Sequence, residues 1–303
     1  MGLALSTSWN AFRADNAKDL LFEISALGFR EIELSFNLTP GLVREIKGIV
    51  GDTGLRVRSL HNYCPIPEGL APQVALPDYF SMSSLDESER NEALKNTLTT
   101  IKTASELGAE AVVLHCGRVE TPDRTRELID LYEKGFKGSG EFEKIKGQAV
   151  SERSHSCKLH LDQTLKSLSV LNAAADKNKI KLGVETRYYY REIPAPEEIG
   201  AILNEFGDSQ IYYWHDAGHA EVMERLSFFL HTDILNAFSR RMLGIHLHDV
   251  FGCKDHMAPG QGDLDFSKLR QFLGEGCITV MEVHHPATGE DLKKAKCFLE
   301  KLL

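Results

Sequence analysis

The chain has 303 residues, 42% of them hydrophobic and 26% charged, with a formal net charge of −9 at pH 7. This make-up is that of a globular protein with a substantial core, and it excludes a disordered chain. It also excludes a surface that grips nucleic acid over its whole extent, because phosphate neutralisation needs clustered lysine and arginine. No apolar run approaches the ~20 residues that span a bilayer, and the opening MGLALSTSWN lacks the charged start and apolar core of a secretion signal. The six cysteines, Cys64, Cys116, Cys157, Cys253, Cys277 and Cys297, form no CxxC pair. They indicate neither a thiolate zinc site nor a disulfide framework, and the chain is expected to be cytoplasmic.

Short apolar or β-branched runs recur along the chain, at 3–9, 31–36, 56–62, 111–117, 180–186, 211–217, 243–249 and 278–284. Segments of helical periodicity separate them, among them 17–28 and 89–108, each stopped by a glycine, then 159–177, and a last helix over GEDLKKAKCFLEKLL. Alternation of this kind is the pattern of a parallel sheet built from βα units. Eight repeats predict a single (β/α)8 TIM barrel over 1–303 rather than an open doubly wound sheet. Two connections are long, 62–88 and 118–157, the second carrying a helix and the glycine-containing KGFKGSGEF. In a barrel such loops lie on the catalytic face and are candidate lids or substrate walls.

The third to eighth runs each finish on an ionisable residue able to bind metal: His61, His115, Glu185, Asp216, His246 or His248, and Glu282. A lone histidine at a strand end is ordinarily a hydrogen-bonded core residue. Here, however, barrel closure would bring all these ends to one mouth, and such a cluster is unfavourable without a compensating cation. Mixed imidazole and carboxylate donors suit Zn²⁺, Mn²⁺ or Fe²⁺. Asp216-Ala217-Gly218-His219 takes the chain off its strand with a second ligating side chain, Gly218 permitting a tight turn. His246 and His248 share one face of their strand, the second as a supporting group. His256 follows on a glycine-rich loop, and Arg187 opens the aromatic stretch 187–191. Glu33 either hydrogen-bonds substrate or neutralises a buried cation of the protein.

GVET, HDAGH, HLHD, HMAPGQG and MEVHH, in this order, resemble the xylose isomerase-like TIM barrel superfamily, which holds sugar and sugar-phosphate isomerases and epimerases together with endonuclease IV phosphodiesterases. The resemblance covers nearly the whole chain and is weakest over 118–157. Its epimerase branch implies one metal ion on Glu185, Asp216, His246 and Glu282. The two glutamates would exchange a carbon-bound proton of a small carbohydrate-like substrate through a metal-stabilised enediolate. His219, Arg187, His248, Lys254 and Glu33 would be the substrate contacts. Its endonuclease IV branch implies up to three zinc ions, with His61, His115, His219 and His256 as further ligands. That branch carries an aspartate where this chain has Lys254, Asp255 falling one position late, so one or two Zn or Mn ions are expected and the third site is weakened. The expected activity is that of a metal-dependent isomerase or epimerase. A metal-dependent phosphoesterase and a catalytically inactive binding barrel are the alternatives. DNA is disfavoured as a substrate by the charge and by the lack of a basic stripe, and the resemblance also implies a homodimer.

Overall fold

In a computed structural model, which describes residues 2–302, the eight runs pair edge to edge and the last meets the first. The strands are β1 (Leu3–Ser6), β2 (Glu31–Leu34), β3 (Arg56–His61), β4 (Ala111–Leu114), β5 (Lys181–Glu185), β6 (Ile211–Asp216) and β7 (Met242–Leu247). A small antiparallel hairpin, β8 (Asp249–Phe251) and β9 (Lys254–Met257), precedes the last barrel strand, β10 (Ile278–Met281). All neighbours in the closed order β1-β10-β7-β6-β5-β4-β3-β2 are parallel. The chain thus folds as a (β/α)8 TIM barrel, and the C-terminal ends of its strands share one rim.

The outer layer comprises α1 (Ala17–Ala26), α2 (Pro40–Ile49), α3 (Glu87–Glu106), α4 (Arg124–Glu133), α5 (Gly140–Asn178), α6 (Pro196–Glu205), α7 (Ala217–Arg225), α8 (His231–Phe238) and α9 (Gly289–Leu302). Side chains of Asn16, Thr39, Asp86, Ser139 and Asp216 accept first-turn N–H groups and so set where α1, α2, α3, α5 and α7 begin. Between β7 and β10 the return contains two short 3-10 turns, Phe266–Lys268 and Arg270–Phe272, in place of an α-helix.

Two apolar layers hold this together. Leu20, Leu21, Ile24, Ile32, Val57, Leu168 and Leu171 lie buried between helices and strands, each side chain worth about 1.5–3 kcal/mol when fully removed from water. Inside the barrel Ala4, Ala111, Val113, Trp214, Ile278 and Val280 form a plug. Trp214 fits because Gly183 and Gly244 face its ring, where an added Cβ would overlap it. Its indole meets the His246 ring at 5.2 Å and 64°, so the plug is the floor on which the polar layer rests.

The 118–157 excursion is shorter than expected as a loop. Residues 140–157 are the first half of α5, a single helix of 39 residues. That half buries only Phe142, Ala149 and Arg153, too little apolar repeat to be read as a helix from sequence. Further along, His160 Nδ1 donates to the Ser83 carbonyl at 2.8 Å and Ser167 Oγ to the Met82 carbonyl at 2.9 Å, tying down the long loop after β3. Among the described residues no helix is long and apolar enough to cross a membrane.

Candidate metal centre and active site

Strand alternation sends every second side chain inward, and register decides which of them meet. Asp216 stands level with His246 across β6 and β7, while Val280 stands level with His246 across β10, so that Glu282 follows just above. Potential ligand atoms of Glu185, Asp216, His246 and Glu282 all lie within 4.8 Å of one another. His246 is central: its Nδ1 is 2.6 Å from Glu185 Oε1, 3.0 Å from Glu282 Oε2 and 3.6 Å from Asp216 Oδ2. On its other side Nε2 lies 3.2 Å from both Glu33 oxygens, and Glu33 also accepts the Ser59 hydroxyl at 2.7 Å.

That arrangement fixes the histidine. With Nε2–H donated to Glu33, Nδ1 faces three carboxylates that compete for one cation. Burial alone would disfavour a charged imidazole, but Glu282 and Glu33 overcome it and push the His246 pKa well above its ordinary value. Burial likewise works against the Glu185 and Asp216 carboxylates. It is outweighed by His115 at Glu185 and by His219 and His248 at Asp216, and both acids fall well below the usual range. Four carboxylates, all 0% or 3% exposed, thus surround one imidazole. A divalent cation fits this donor set by charge and by chemistry, since N and O donors together suit Zn²⁺ or Mn²⁺.

Glu185 reaches further. Its Oε2 lies 2.6 Å from His115 Nε2, 3.6 Å from His61 Nε2 and 2.9 Å from Arg187 Nη1, so its two oxygens face two different ligand groups. His61 Nδ1 points to the Asn62 carbonyl at 3.2 Å, which leaves Nε2 free to ligate. Burial first, then Arg187, holds the His115 pKa well below its ordinary value, keeping that ring neutral.

A third group lies on the rim. Asp216 ends β6 and caps α7, its Oδ1 accepting the His219 N–H at 2.7 Å. His219 Nδ1 donates to the Thr186 carbonyl at 3.0 Å, leaving Nε2 as the free nitrogen, 3.6 Å from Asp255 Oδ2. Asp255 Oδ2 is also 3.0 Å from His256 Nδ1, and His256 Nε2 is 3.8 Å from Glu282. His284 stacks on His256 at 3.9 Å.

These positions revise several expectations. Lys254 lies exposed on the hairpin and does not line the cavity, whereas Asp255 does. Along an undistorted strand Asp255 and His256 would point to opposite faces, but His256 adopts φ 55° and both reach the rim. Asp255, one residue after the position of the expected carboxylate, thus lies beside His219 and His256. Glu33 sits beneath His246 and is not among the residues lining the cavity; its oxygens bond the His246 ring. His248 does not face the cavity either. Its Nδ1 accepts the His256 N–H at 2.9 Å and its Nε2 donates to Asp216 at 2.9 Å, so both nitrogens are occupied. Gly218 makes no tight turn, because it lies inside α7. A Cβ there would overlap the His248 ring, and close approach is its reason. His215 points away, to the Tyr213 hydroxyl and His231.

Above the centre opens a cavity of about 450 Å³, lined among others by His61, His115, Glu185, Arg187, His219, His256 and Glu282. That size suits a small molecule. The closed barrel places its cavity and a buried carboxylate–histidine cluster at the strand ends, the face on which (β/α)8 barrels carry their active sites. The chain belongs to the xylose isomerase-like TIM barrel family, whose model matches residues 21–302. It is 26% identical over 255 residues to the uncharacterized protein y4fM of Sinorhizobium fredii, covering 79% of this chain and 69% of that one. Among solved structures it resembles the 3-keto-D-glucoside 4-epimerase YcjR of E. coli, at 15% identity, 99% coverage of both chains and a TM-score of 0.68. It also resembles the D-psicose 3-epimerase of Clostridium cellulolyticum H10, at 12% identity, 100% and 99% coverage and a TM-score of 0.68. At these identities the likeness is one of fold.

Proposed function

We propose that the protein is a metal-dependent isomerase or epimerase of a small hydroxy-carbonyl compound of the sugar class. The observation that carries this reading is the pair Glu185 and Glu282, two buried carboxylates that converge on His246 from different strands and both line one small cavity. Glu185, Asp216, His246 and Glu282 would hold a Zn or Mn ion. When bound, that ion supplies Lewis acidity toward adjacent oxygens of the substrate and stabilises the negative charge that follows loss of a carbon-bound proton. The chain's own part is proton transfer and positioning. One glutamate takes the proton from the carbon beside the carbonyl, and the other returns a proton from its own side. Glu185 is held for this by His115 and Arg187. His219, its Nε2 left free by the bond to Thr186, is the hydrogen-bonding partner for a substrate hydroxyl. The sugar epimerases of the same fold support the reading.

The test is proton exchange in D₂O with a panel of ketoses, read by NMR as deuterium entering the carbon beside the carbonyl. Exchange is expected for wild type and lost in E282Q with the barrel intact. Exchange undiminished in E282Q would remove this glutamate from the chemistry.

A second reading, hydrolysis of a phosphate ester, is favoured by one observation: ligand-competent side chains beyond the first four are present, His61 and His115 grouping with Glu185, and His219 and His256 both lying beside Asp255. Release of p-nitrophenol from bis(p-nitrophenyl) phosphate, with two or three metal equivalents retained, would favour it over the first.

A further inference from the structure

The chain carries a net charge of −9, yet four guanidinium groups gather on one wall of the cavity: Arg118 and Arg126 from the segment after β4, Arg187 and Arg191 from the segment after β5. They are unequally paired. Arg126 is 73% exposed and bonded to Asp123 at 2.9 Å. Arg118 has its nearest carboxylate oxygens at 3.4 and 3.6 Å, beyond good hydrogen-bonding distance. Arg187 is 6% exposed and spends its two terminal nitrogens on Glu185 and Glu192, at 2.9 and 3.1 Å, while its Nε is buried without a partner. Among the described residues Arg191 has no carboxylate partner, its side chain donates only to the Thr121 carbonyl at 3.2 Å, and its Nε is also buried and unsatisfied. Buried guanidinium donors without acceptors are rare because nothing replaces the water they gave up. Both Nε atoms are sealed from the cavity, so a ligand can meet only terminal nitrogens; those of Arg118 and Arg191 are not spent on close carboxylate bonds, and on a cavity wall they point to an acceptor that arrives with the ligand.

We infer that this wall is an anion subsite and that the substrate is an acidic hydroxy-carbonyl compound, its carboxylate or phosphate held by Arg191 and Arg118, while its reacting end faces Glu185 and Glu282. The second half of that statement rests on the isomerase reading above; the anion subsite does not. Planar guanidinium forks match both oxyanions. Arg187, its terminal nitrogens on Glu185 and Glu192, ties that wall to Glu185 and so fixes the distance between the two. α5 supports the wall from behind, Arg153 donating to the Tyr190 and Glu192 carbonyls at 2.8 and 3.0 Å.

The experiment is calorimetric titration of the full chain with sodium phosphate and, separately, sodium glycolate at constant ionic strength, before and after metal removal by dialysis against a chelator. Binding on the order of millimolar is expected in both states, and the anion bound more tightly names the substrate's group. R191Q should weaken it by at least about tenfold, and R118Q by a smaller factor. R56Q, on a side chain 59% exposed at the start of β3, is the control and should also leave it unchanged. Circular dichroism checks that each variant is folded, and R118Q carries the test if R191Q is not. No anion binding by wild type, equal weakening in R56Q, or binding that vanishes with the metal would each overturn the assignment. Failure of the exchange assay with anion binding intact would overturn only the isomerase reading.

Discussion

Glu33 makes no contact with the cavity, yet it should govern metal affinity. Its two oxygens are each 3.2 Å from His246 Nε2, and it is fully buried. E33Q preserves volume, so it opens no hole, and the amide oxygen can still accept the imidazole N–H; what is lost is the negative charge that makes His246 Nδ1 a strong donor. Loss of such a supporting carboxylate typically weakens metal binding 10–100-fold, or about 1.4–2.7 kcal/mol. E33Q is expected near the lower figure. E33A, which leaves both His246 and the Ser59 hydroxyl without their acceptor, is expected near the higher one. Competition against a chromogenic chelator measures both, with thermal melting to establish that the barrel persists. Unchanged metal affinity in two folded variants would refute the claim that Glu33 orients His246.

Other parts of the structure make their own predictions. G218A should destabilise the protein by about 1–3 kcal/mol and weaken metal binding, because the added methyl displaces the His248 ring from Asp216; a melting curve and chelator titration matching wild type would show that the ring has room. R153M leaves Glu198 without its 2.6 Å partner. A loss of about 3 kcal/mol is expected, or roughly 6–12 °C in melting temperature at the 2–4 °C per kcal/mol of larger domains, and a shift under 2 °C by calorimetry would contradict it. Metal uptake should release a proton. With its pKa raised, His246 is protonated at neutral pH, and the cation must displace that proton, so affinity falls as pH falls, by roughly tenfold per unit for one proton. Titration in weak buffer reads this directly, and no acidification would show that His246 was already neutral.

Much of the centre was legible in the sequence because barrel geometry turns strand-end position into proximity. The ends of the runs grouped His61, His115, Glu185, Asp216, His246 or His248, and Glu282, and the family resemblance singled out Glu185, Asp216, His246 and Glu282 among them. What was not legible depends on local backbone and on partners. His256 shares the rim with Asp255 through its own positive φ, a feature with no signature in the residues KDHM. The sequence placed His248 on the right face, but the His256 N–H that occupies its second nitrogen comes from the hairpin fold-back. Glu33 read equally as a substrate contact or as the partner of a buried cation of the protein, because inward direction says nothing of depth. The first half of α5 was hidden for a different reason: its inner face is largely polar and binds loops rather than apolar core, as Arg153 and His160 show.

The central claim is that one cation is held jointly by side chains of β5, β6, β7 and the end of β10. Elemental analysis of the purified chain after dialysis, compared with D216A, tests it most directly. At least one equivalent of zinc or manganese should stay with the wild type and be lost from the folded variant. A wild-type barrel that neither retains nor takes up either metal would contradict it.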